Sequence, residues 1–395
     1  MDRKIIAKEI NDRVKKLQRL LGEHQIHGAL IIQKADLYYF TGTDQDAYLW
    51  IPAYNDPILM VRKSLERALK DSSIERIVPL TTPSQLPEYI IGNTGEQPYR
   101  LGLELDVLPV NLYFYYKRLF PDKEIMDISV LIRRVRMIKS PYEVSFIRKA
   151  AEIADNMFRL IPEFIKESKT EIDLELKLEA FVRSQGHPCL ARTRSFNVEI
   201  AFGHIVAGKS GTVPNCFPGA IGGYGLGAYY SQGAGWGKIR SNEPVLVDYG
   251  PNVEGYLSDQ TRTFSIGKLH EKFHHALRGM IEVQDHIQQQ GKTGVRAGDL
   301  YDSALRIVEK QGLSDGFMGL PQPVPFIGHG IGLEVDEWPV IGRGSEHILE
   351  KGMVIALEPK YTFPGEGVVG TESTFVITDN GMEKLNSYPD EITIC

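Results

Sequence analysis

The sequence predicts an α/β protein built from two domains, a smaller one over residues 1–135 and a larger one over residues 136–395. Three observations support this prediction. The chain has 395 residues, which is more than one ordinary hydrophobic core accommodates. Helix-period runs and strand-like runs are mixed along the chain. A strong helix-start signal near residue 140 separates the two parts.

The first 135 residues contain three short segments with recognisable patterns. Residues 13–21 have helical spacing, and residues 28–33 form an apolar run typical of a buried strand. Residues 38–43 indicate a strand or a turn edge. Because this part of the sequence shows no cluster of reactive side chains, we expect an α/β domain without a reactive centre.

A helix is predicted to begin at Pro141. Ser140 is suited to cap it, proline is favoured at the first helical position, and Glu143 is placed to reach back to the cap. Apolar residues then follow at intervals of three and four, which predicts one face packed against a core. These residues are Val144, Ile147, Ala151, Ala154 and Phe158.

The larger part contains a faint internal repeat. Asp173-Leu174, Val182 and Gln185-Gly186 recur 126 positions later as Asp299-Leu300, Val308 and Gln311-Gly312. Each copy follows a helix-like stretch, 141–166 or 271–290. The repeat predicts two similar halves, although so few matches also arise by chance. A carboxylate-bearing hairpin after each helix pair favours duplication.

Composition restricts the classes of partner and location. The formal net charge of -6 argues against binding to a nucleic-acid backbone. The first twenty residues lack an apolar signal-peptide core, and no apolar run reaches the length of a membrane span, so we expect a cytoplasmic protein without a membrane partner. The three scattered cysteines are interpreted as reduced bystanders.

The first hairpin carries two aspartates. Residues 245–250 and 256–264 are rich in β-forming residues, and residues 251–255 have turn composition. If the turn is centred between Val253 and Glu254, Asp248 faces Asp259 with the Cβ atoms about 5 Å apart.

The second hairpin repeats this arrangement with glutamates. A turn centred on Gly365 places Glu358 opposite Glu372. A single acidic residue on a strand is usually a solvated surface residue. Two facing pairs in apolar hairpins are different, because like charges opposite each other destabilise a sheet. Two divalent ions would balance the four carboxylates, so we predict a metal centre.

His329 completes the set. Glycines on both sides permit close backbone approach, and an imidazole joins four carboxylates as a metal ligand, although an isolated histidine is usually structural or exposed. With it, the chain resembles the pita-bread metallopeptidases, the group of aminopeptidase P, Xaa-Pro dipeptidase (prolidase) and creatinase. The matching segments are Asp248-Tyr-Gly, Gly255-Tyr-Leu-Ser-Asp259-Gln-Thr-Arg-Thr263, Gly328-His329-Gly-Ile-Gly332, Glu358-Pro359, Glu372, the linker-like Val135 to Ser140, and Leu37 to Gly42.

The resemblance implies a creatinase-type N-terminal α/β domain and a pita-bread catalytic domain, which is a duplicated α+β unit with a curved antiparallel sheet. It implies that Asp259 and Glu372 bridge two ions, that Asp248 holds one, and that His329 and Glu358 hold the other. Manganese, cobalt, zinc and iron all suit this set. A water between the ions would attack a carbonyl, with Glu358 moving its proton. A homodimer is also implied.

Three positions depart from the peptidase pattern. Asn215 and Asp336 stand where the family usually has histidines, and Gly370 stands where it often has arginine. Asp336 is either a replacement proton acceptor or the partner of a cation such as Arg262. His204 is a candidate replacement for the missing histidine, with a structural role favoured. The glycine-rich run 219–237 is either a substrate-cleft loop or a connecting loop.

The leading hypothesis is a hydrolase with two metal ions that cleaves short peptides with proline in the second position. The three departures leave a second hypothesis open, in which the same metals serve a creatinase-like hydrolysis of a carbon–nitrogen bond, or a lyase reaction with Asp336 as base. A third is a non-catalytic binding protein, which is disfavoured because all five ligands are present.

Overall fold

The computed structural model describes residues 3–95 and 98–395, and it separates into two compact units, Met1–Arg136 and Met137–Cys395. None of the helices in those described ranges combines the length and apolar composition that a membrane span requires. Cys189, Cys216 and Cys395 are free thiols.

The first unit is a six-stranded mixed sheet with helices. Its helices are α1 (Arg3–Glu23), α2 (Lys34–Thr41), α3 (Leu65–Asp71), α4 (Leu86–Thr94), α5 (Val110–Leu119) and α6 (Ser129–Met137). Its strands are β1 (Gly28–Ile31), β2 (Ala47–Pro52), β3 (Ile58–Val61), β4 (Arg76–Pro79), β5 (Arg100–Leu103) and β6 (Glu124–Asp127). The strand order is β4-β3-β2-β1-β5-β6, with β2 antiparallel to both neighbours. A 3-10 turn, Pro83–Gln85, precedes α4.

The predicted helix at 13–21 is confirmed as part of α1, and the predicted strand at 28–33 is confirmed over residues 28–31, which form β1, but the strand or turn edge at 38–43 is wrong. That segment belongs to α2. Gln33 caps the helix by accepting a hydrogen bond from the Asp36 N–H, and Gly42 ends it in the left-handed conformation with φ of 77°. Gly42 therefore marks the end of a helix. The apolar residues before it are compatible with a helix or with a strand, so the run alone did not distinguish the two.

The second unit contains two helix pairs and two sheets in which the strand pairs are mainly antiparallel. Its helices are α7 (Pro141–Glu167), α8 (Glu171–Ser184), α9 (Glu271–Gln290) and α10 (Ala297–Lys310). The strands of one sheet are β7 (Gly203–Ala207), β8 (Val245–Tyr249), β11 (Gln260–Ser265) and β19 (Thr393–Ile394). Those of the other are β12 (Phe326–Gly330), β13 (Glu337–Gly342), β14 (Val354–Leu357), β17 (Ser373–Ile377) and β18 (Met382–Lys384). Two ribbons, β9 (Asn252–Val253) with β10 (Tyr256–Leu257) and β15 (Lys360–Phe363) with β16 (Gly367–Gly370), complete the hairpins, and a 3-10 turn spans Gly208–Thr212.

The predicted start of α7 is confirmed. The Ser140 hydroxyl oxygen accepts the N–H of Glu143, and the Glu143 carboxylate accepts the N–H of Ser140, so both cap bonds form. The apolar face packs into a core with α8 and the first sheet.

The duplication is also confirmed by the order of elements. Glu171 begins α8 and Ala297 begins α10, a separation of 126 residues that equals the sequence repeat. Each helix pair shares a core with one sheet, α7 and α8 with the sheet of β7 and β8, and α9 and α10 with the sheet of β12 and β14. Asp248 lies on β8, and the other three predicted carboxylates lie directly beside hairpin strands, Asp259 before β11, Glu358 after β14 and Glu372 before β17.

Candidate metal centre

The first hairpin has a register that differs from the prediction. Asp248 pairs with Thr261, and Val253 pairs with Tyr256, so the turn is centred between Glu254 and Gly255. Both turn residues have positive φ, 52° and 84°, as a type I′ turn requires. The predicted Asp248–Asp259 facing pair is therefore wrong, because the turn lies one residue further along than expected.

Asp259 is nevertheless on the same face as Thr261, two positions before it, and just ahead of β11. Its N–H donates to the Thr374 hydroxyl at 2.8 Å, and that hydroxyl donates to the Asp259 carbonyl oxygen at 3.0 Å. Asp259 is thus held against β17 of the other half, and it remains a diagonal neighbour of Asp248.

The second hairpin has the predicted register. Leu357 pairs with Ser373 and Lys360 with Gly370, so Glu358 and Glu372 occupy opposite positions between the two strand pairs. Gly365 lies in the turn in the left-handed conformation, with φ of 72°. The predicted glutamate pair is confirmed.

Thr261 joins the two hairpins. Its backbone exchanges hydrogen bonds with the backbone of Glu372, and its hydroxyl donates to Oε2 of the Glu372 carboxylate at 2.7 Å. The two residues are 111 positions apart. This single bridge brings the acidic residues of both halves to one place.

His329 lies on β12, between β13 and β14. Its Nε2 is 3.5 Å from Oε1 of Glu358, and its Nδ1 is 3.1 Å from the carbonyl oxygen of Gly330. A Cβ atom at residue 330 would overlap the carbonyl oxygen of Trp338, so glycine there allows β13 to approach.

The predicted ligands surround one cavity. Asp259, His329 and Glu372 each offer a ligand atom within 4.8 Å of the others. Asp248 and Glu358 line the same cavity, so the structure brings all five together. One imidazole nitrogen and carboxylate oxygens are the donors that borderline divalent ions prefer.

The electrostatics also fit a bound cation. Burial, reinforced by the charge of Glu372, raises the pKa of Asp248 to about 7. The same two causes raise the pKa of Asp259 well above its usual value. Buried carboxylates this close together favour a proton or a cation between them. A divalent ion near Asp259, His329 and Glu372 would supply that charge.

Lys360 was missed by the sequence analysis. Its side chain is fully buried, and its Nζ donates to Oε2 of Glu358 at 2.6 Å and to Oε2 of Glu372 at 2.8 Å. It also lies 3.6 Å from Oδ2 of Asp248. Burial lowers the pKa of Lys360, but the charges of Glu358, Glu372 and Asp248 outweigh it and raise that pKa well above its usual value. Its position two residues after Glu358 could have indicated this, because side chains two apart on an extended segment lie on the same face.

Asp336 lines the cavity, and its carboxylate oxygens accept hydrogen bonds from a neighbouring loop. It accepts hydrogen bonds from the hydroxyls of Thr193 and Ser195 and from the N–H groups of Arg194 and Ser195, at 2.6–2.9 Å. Burial raises the pKa of Asp336, but these hydrogen bonds outweigh it and lower that pKa. A carboxylate held this way is a weak proton acceptor.

The predicted partnership of Asp336 with Arg262 is wrong. The Arg262 guanidinium is fully buried and forms its ion pair with Asp390, at 2.9 Å. It also donates to the carbonyl oxygens of Thr261 and Glu372, at 2.8 Å and 2.5 Å. Arg262 thereby stabilises the bridge between the hairpins by bonding to the backbone of both of its residues.

His204 also lines the cavity. It lies on β7 directly opposite Asp248, and its ring contacts Phe217 edge-on at 4.4 Å between centroids. Burial lowers the pKa of His204 to about 4, so the imidazole is neutral at neutral pH. Its Nε2 has no hydrogen-bond partner among the described residues. Asn215 instead accepts the N–H of Phe217, a contact that shapes the loop beside His204.

Only the first residues of the glycine-rich run 219–237 contact the cavity. Gly219, Ala220 and Ile221 belong to the cavity lining. Tyr229 and Trp236 are exposed further along the run. The first residues therefore form part of the cavity wall, and the later ones connect it to β8.

Comparison with known proteins gives two family matches. Residues 145–379 match the model of metallopeptidase family M24, and residues 13–138 match the creatinase/prolidase N-terminal domain. The first match alone covers more than half of the chain. The chain therefore belongs to metallopeptidase family M24 and is a hydrolase, and it has a creatinase-type N-terminal domain.

Individual relatives span the whole chain. The Xaa-Pro dipeptidase of Pyrococcus furiosus is 29% identical over 384 residues, which cover 97% of this chain and 100% of that protein. The prolidase structure from Pyrococcus horikoshii OT3 superposes with a TM-score of 0.81 at 27% identity, covering 96% of this chain and 99% of that one. The Xaa-Pro dipeptidase structure from Bacillus anthracis has a TM-score of 0.82 at 24% identity over 98% and 100% of the chains, a likeness of fold.

Proposed function

We propose that the protein is a metal-dependent peptidase that cleaves short peptides with proline in the second position, as an aminopeptidase P or an Xaa-Pro dipeptidase. The observation that carries the proposal is the convergence of all five candidate ligands on one cavity. The names of the full-length relatives support the substrate class. We also propose that residues 136–395 form the catalytic domain and that residues 1–135, which precede it in the sequence, form a separate N-terminal domain.

Asp259, His329 and Glu372 would hold the metal, with Glu358 and Asp248 beside them. When bound, a divalent ion supplies Lewis acidity that polarises a carbonyl oxygen and acidifies water. Manganese, cobalt, zinc and iron remain the candidates, because all accept this donor set. The cytoplasmic location and the homodimer expected from the sequence remain predictions.

The other cavity residues have distinct roles in this proposal. Oε1 of Glu358 faces His329 while its Oε2 is held by Lys360, so Glu358 is oriented to take a proton in the cavity. His204 lines the cavity opposite Asp248, so its neutral imidazole would lie beside a bound substrate. Asp336 acts as a positioning residue, since its oxygens hold residues 193–195 at the rim.

The alternatives are less well supported by the geometry. A lyase with Asp336 as base would need a carboxylate free to accept a proton, and this one already accepts four hydrogen bonds. A creatinase-like hydrolysis would use the same metal chemistry as the proposed peptidase, so only the choice of substrate distinguishes the two. A non-catalytic binding protein would not need a buried set of five ligands.

The test is a substrate panel on the purified protein, stripped of metal and then reloaded separately with each of the four metals. The panel contains Xaa-Pro dipeptides, longer Xaa-Pro peptides, matched Xaa-Ala peptides and creatine. We expect Xaa-Pro turnover that His329→Ala reduces by more than about 100-fold. His275→Ala, at an exposed histidine of α9, is the matched control. Turnover of creatine alone, or of no compound with any metal, would remove the peptidase proposal.

A further inference from the structure

The ammonium of Lys360 stands among three of the four candidate carboxylate ligands. It donates to Oε2 of Glu358 and to Oε2 of Glu372, at 2.6 Å and 2.8 Å, and it is 3.6 Å from Oδ2 of Asp248. No lysine or arginine of the described ranges 3–95 and 98–395 lines the cavity itself, and the Lys360 ammonium contacts these carboxylates from outside the cavity lining. The centre therefore contains a cation supplied by the chain itself.

The surrounding structure is shaped to accommodate this lysine. Lys360 begins β15 and pairs with Gly370 on β16. A Cβ atom at residue 370 would lie 2.6 Å from Cγ and 3.1 Å from Cα of Lys360, which is closer than side chains pack. Glycine at 370 therefore leaves the space that the lysine stem occupies, and the ammonium is guided toward the carboxylates.

The lysine also uses ligand oxygens. Oε2 of Glu372 already accepts hydrogen bonds from both Lys360 and the hydroxyl of Thr261. Oε2 of Glu358 accepts from Lys360. Each glutamate thus keeps its Oε1 for another partner, and Oε1 of Glu358 is the atom that faces His329. One ion bound with His329 and Asp259 has access to these remaining oxygens.

A second ion would have a poorer environment. It would have to draw on Asp248 and on glutamate oxygens that already bind the ammonium. Because like charges at such distances repel strongly in a buried site, an ammonium and a second divalent ion compete for the same carboxylates. The ammonium is covalently attached and therefore always present at high local concentration.

We propose that the Lys360 ammonium takes the place of one of the two metal ions, so that the centre holds a single divalent ion per chain. The proposal rests on the metal binding of the proposed function and departs from the two ions expected from the sequence. The single ion would lie with Asp259, His329 and Glu372, and Lys360 would neutralise charge on the side of Asp248.

The test is metal stoichiometry, which needs no substrate. Metal-free protein is loaded with excess manganese or zinc, separated from free metal by gel filtration, and analysed by elemental mass spectrometry against protein concentration. We expect about one ion per chain for the wild type and for Lys360→Arg, and about two for Lys360→Gly and Lys360→Met. Lys360→Met retains the apolar stem and removes only the charge. Lys351→Met, at an exposed lysine, should retain the wild-type value.

Manganese electron paramagnetic resonance gives an independent readout. An isolated ion shows resolved hyperfine lines, whereas two neighbouring ions show exchange coupling, so coupling should occur in Lys360→Met and not in the wild type. Two ions in the wild type, or one ion in both Lys360→Gly and Lys360→Met with native circular dichroism, overturn the inference. The wild-type measurement decides even if the variants do not fold. No metal in the wild type would instead remove the metal-dependent function as a whole.

Discussion

Thr261 and Glu372 are bonded through both backbone and side chain, although they belong to opposite halves of the duplicated domain. The backbone bonds measure 3.1 Å and 3.3 Å, and the hydroxyl-to-carboxylate bond measures 2.7 Å. Glu372 is thereby oriented by a residue that does not itself belong to the candidate ligand set. A partner of this kind fixes the direction of the ligand oxygens.

Thr261→Val should weaken metal binding while the fold is retained. Valine has nearly the same shape but cannot donate to Oε2 of Glu372, so that carboxylate loses one of its two side-chain hydrogen bonds. We expect the metal dissociation constant to rise about 10- to 100-fold, as measured by isothermal titration calorimetry. Thr81→Val, at an exposed site in the first unit, is the control. Equal affinity in Thr261→Val and the control would show that Glu372 needs no such orientation.

Asp336→Asn should affect substrate binding more than the chemical step. An amide nitrogen cannot accept the N–H and O–H groups that the carboxylate now accepts from residues 193–195, so at least one donor is left unpaired. We expect a loss of about 1–3 kcal/mol in the free energy of unfolding and a higher KM with a smaller change in kcat. Denaturant unfolding and steady-state kinetics measure the two effects. A fall in kcat alone would restore Asp336 as a candidate base.

The lowered pKa of Asp336 also predicts an acid dependence of stability. A carboxyl whose pKa is lower in the folded state stabilises the protein above its ordinary pKa of about 4, and that stability is lost as pH falls through the folded-state value. Unfolding free energies of the wild type and Asp336→Asn should therefore converge as the solution is made more acidic than about pH 4. A constant difference between the two proteins across this range would contradict the assignment.

His204 should remain neutral over the whole neutral range. Its pKa of about 4 lies below that of a free histidine, so the unfolded chain takes up a proton that the folded chain excludes. Stability should decline as pH falls from about 6.5 toward 4, and His204→Gln should remove this part of the decline. Nuclear magnetic resonance of the labelled imidazole should show no titration between about pH 5 and pH 8. A midpoint near 6.5 would show that the ring is solvated.

Gly330→Ala should disturb both stability and the metal centre. The added methyl would overlap the carbonyl oxygen of Trp338 and push β12, which carries His329, away from β13. We expect a loss of about 1–3 kcal/mol in unfolding free energy together with weaker metal binding. Gly92→Ala is the matched control, because a Cβ atom there contacts nothing among the described residues within 4 Å. A Gly330→Ala protein as stable as this control would place β13 further away than the structure does.

Metal removal should lower thermal stability reversibly. A ligand that binds only the folded state at about 1,000 times its dissociation constant adds about 4 kcal/mol to the unfolding free energy. We therefore expect a chelator to lower Tm and reloading with metal to restore it, as followed by calorimetry. His329→Ala should show the low Tm under both conditions. A wild-type Tm that the chelator leaves unchanged would argue that the site binds no metal.

Local signals determined several parts of this protein. The cap at Ser140, the chemical identity of the five candidate ligands and the second hairpin's register could all be predicted, because each depends on residues close together in sequence. The turn at Gly365 set the distance between Glu358 and Glu372. Family membership followed from these same residues and is confirmed.

Tertiary structure decided the arrangements that depend on distant parts of the chain. The turn at Glu254 and Gly255 places Asp248 opposite Thr261 and not opposite Asp259. The bridge from Thr261 to Glu372 nevertheless keeps Asp259 at the metal centre. Asp336 found its partners 141 to 143 residues away. Lys360 turned inward because Gly370 leaves space across the strand pair. Pairing over such separations is set by which strands meet in the folded sheet, and short-range sequence patterns carry little information about that.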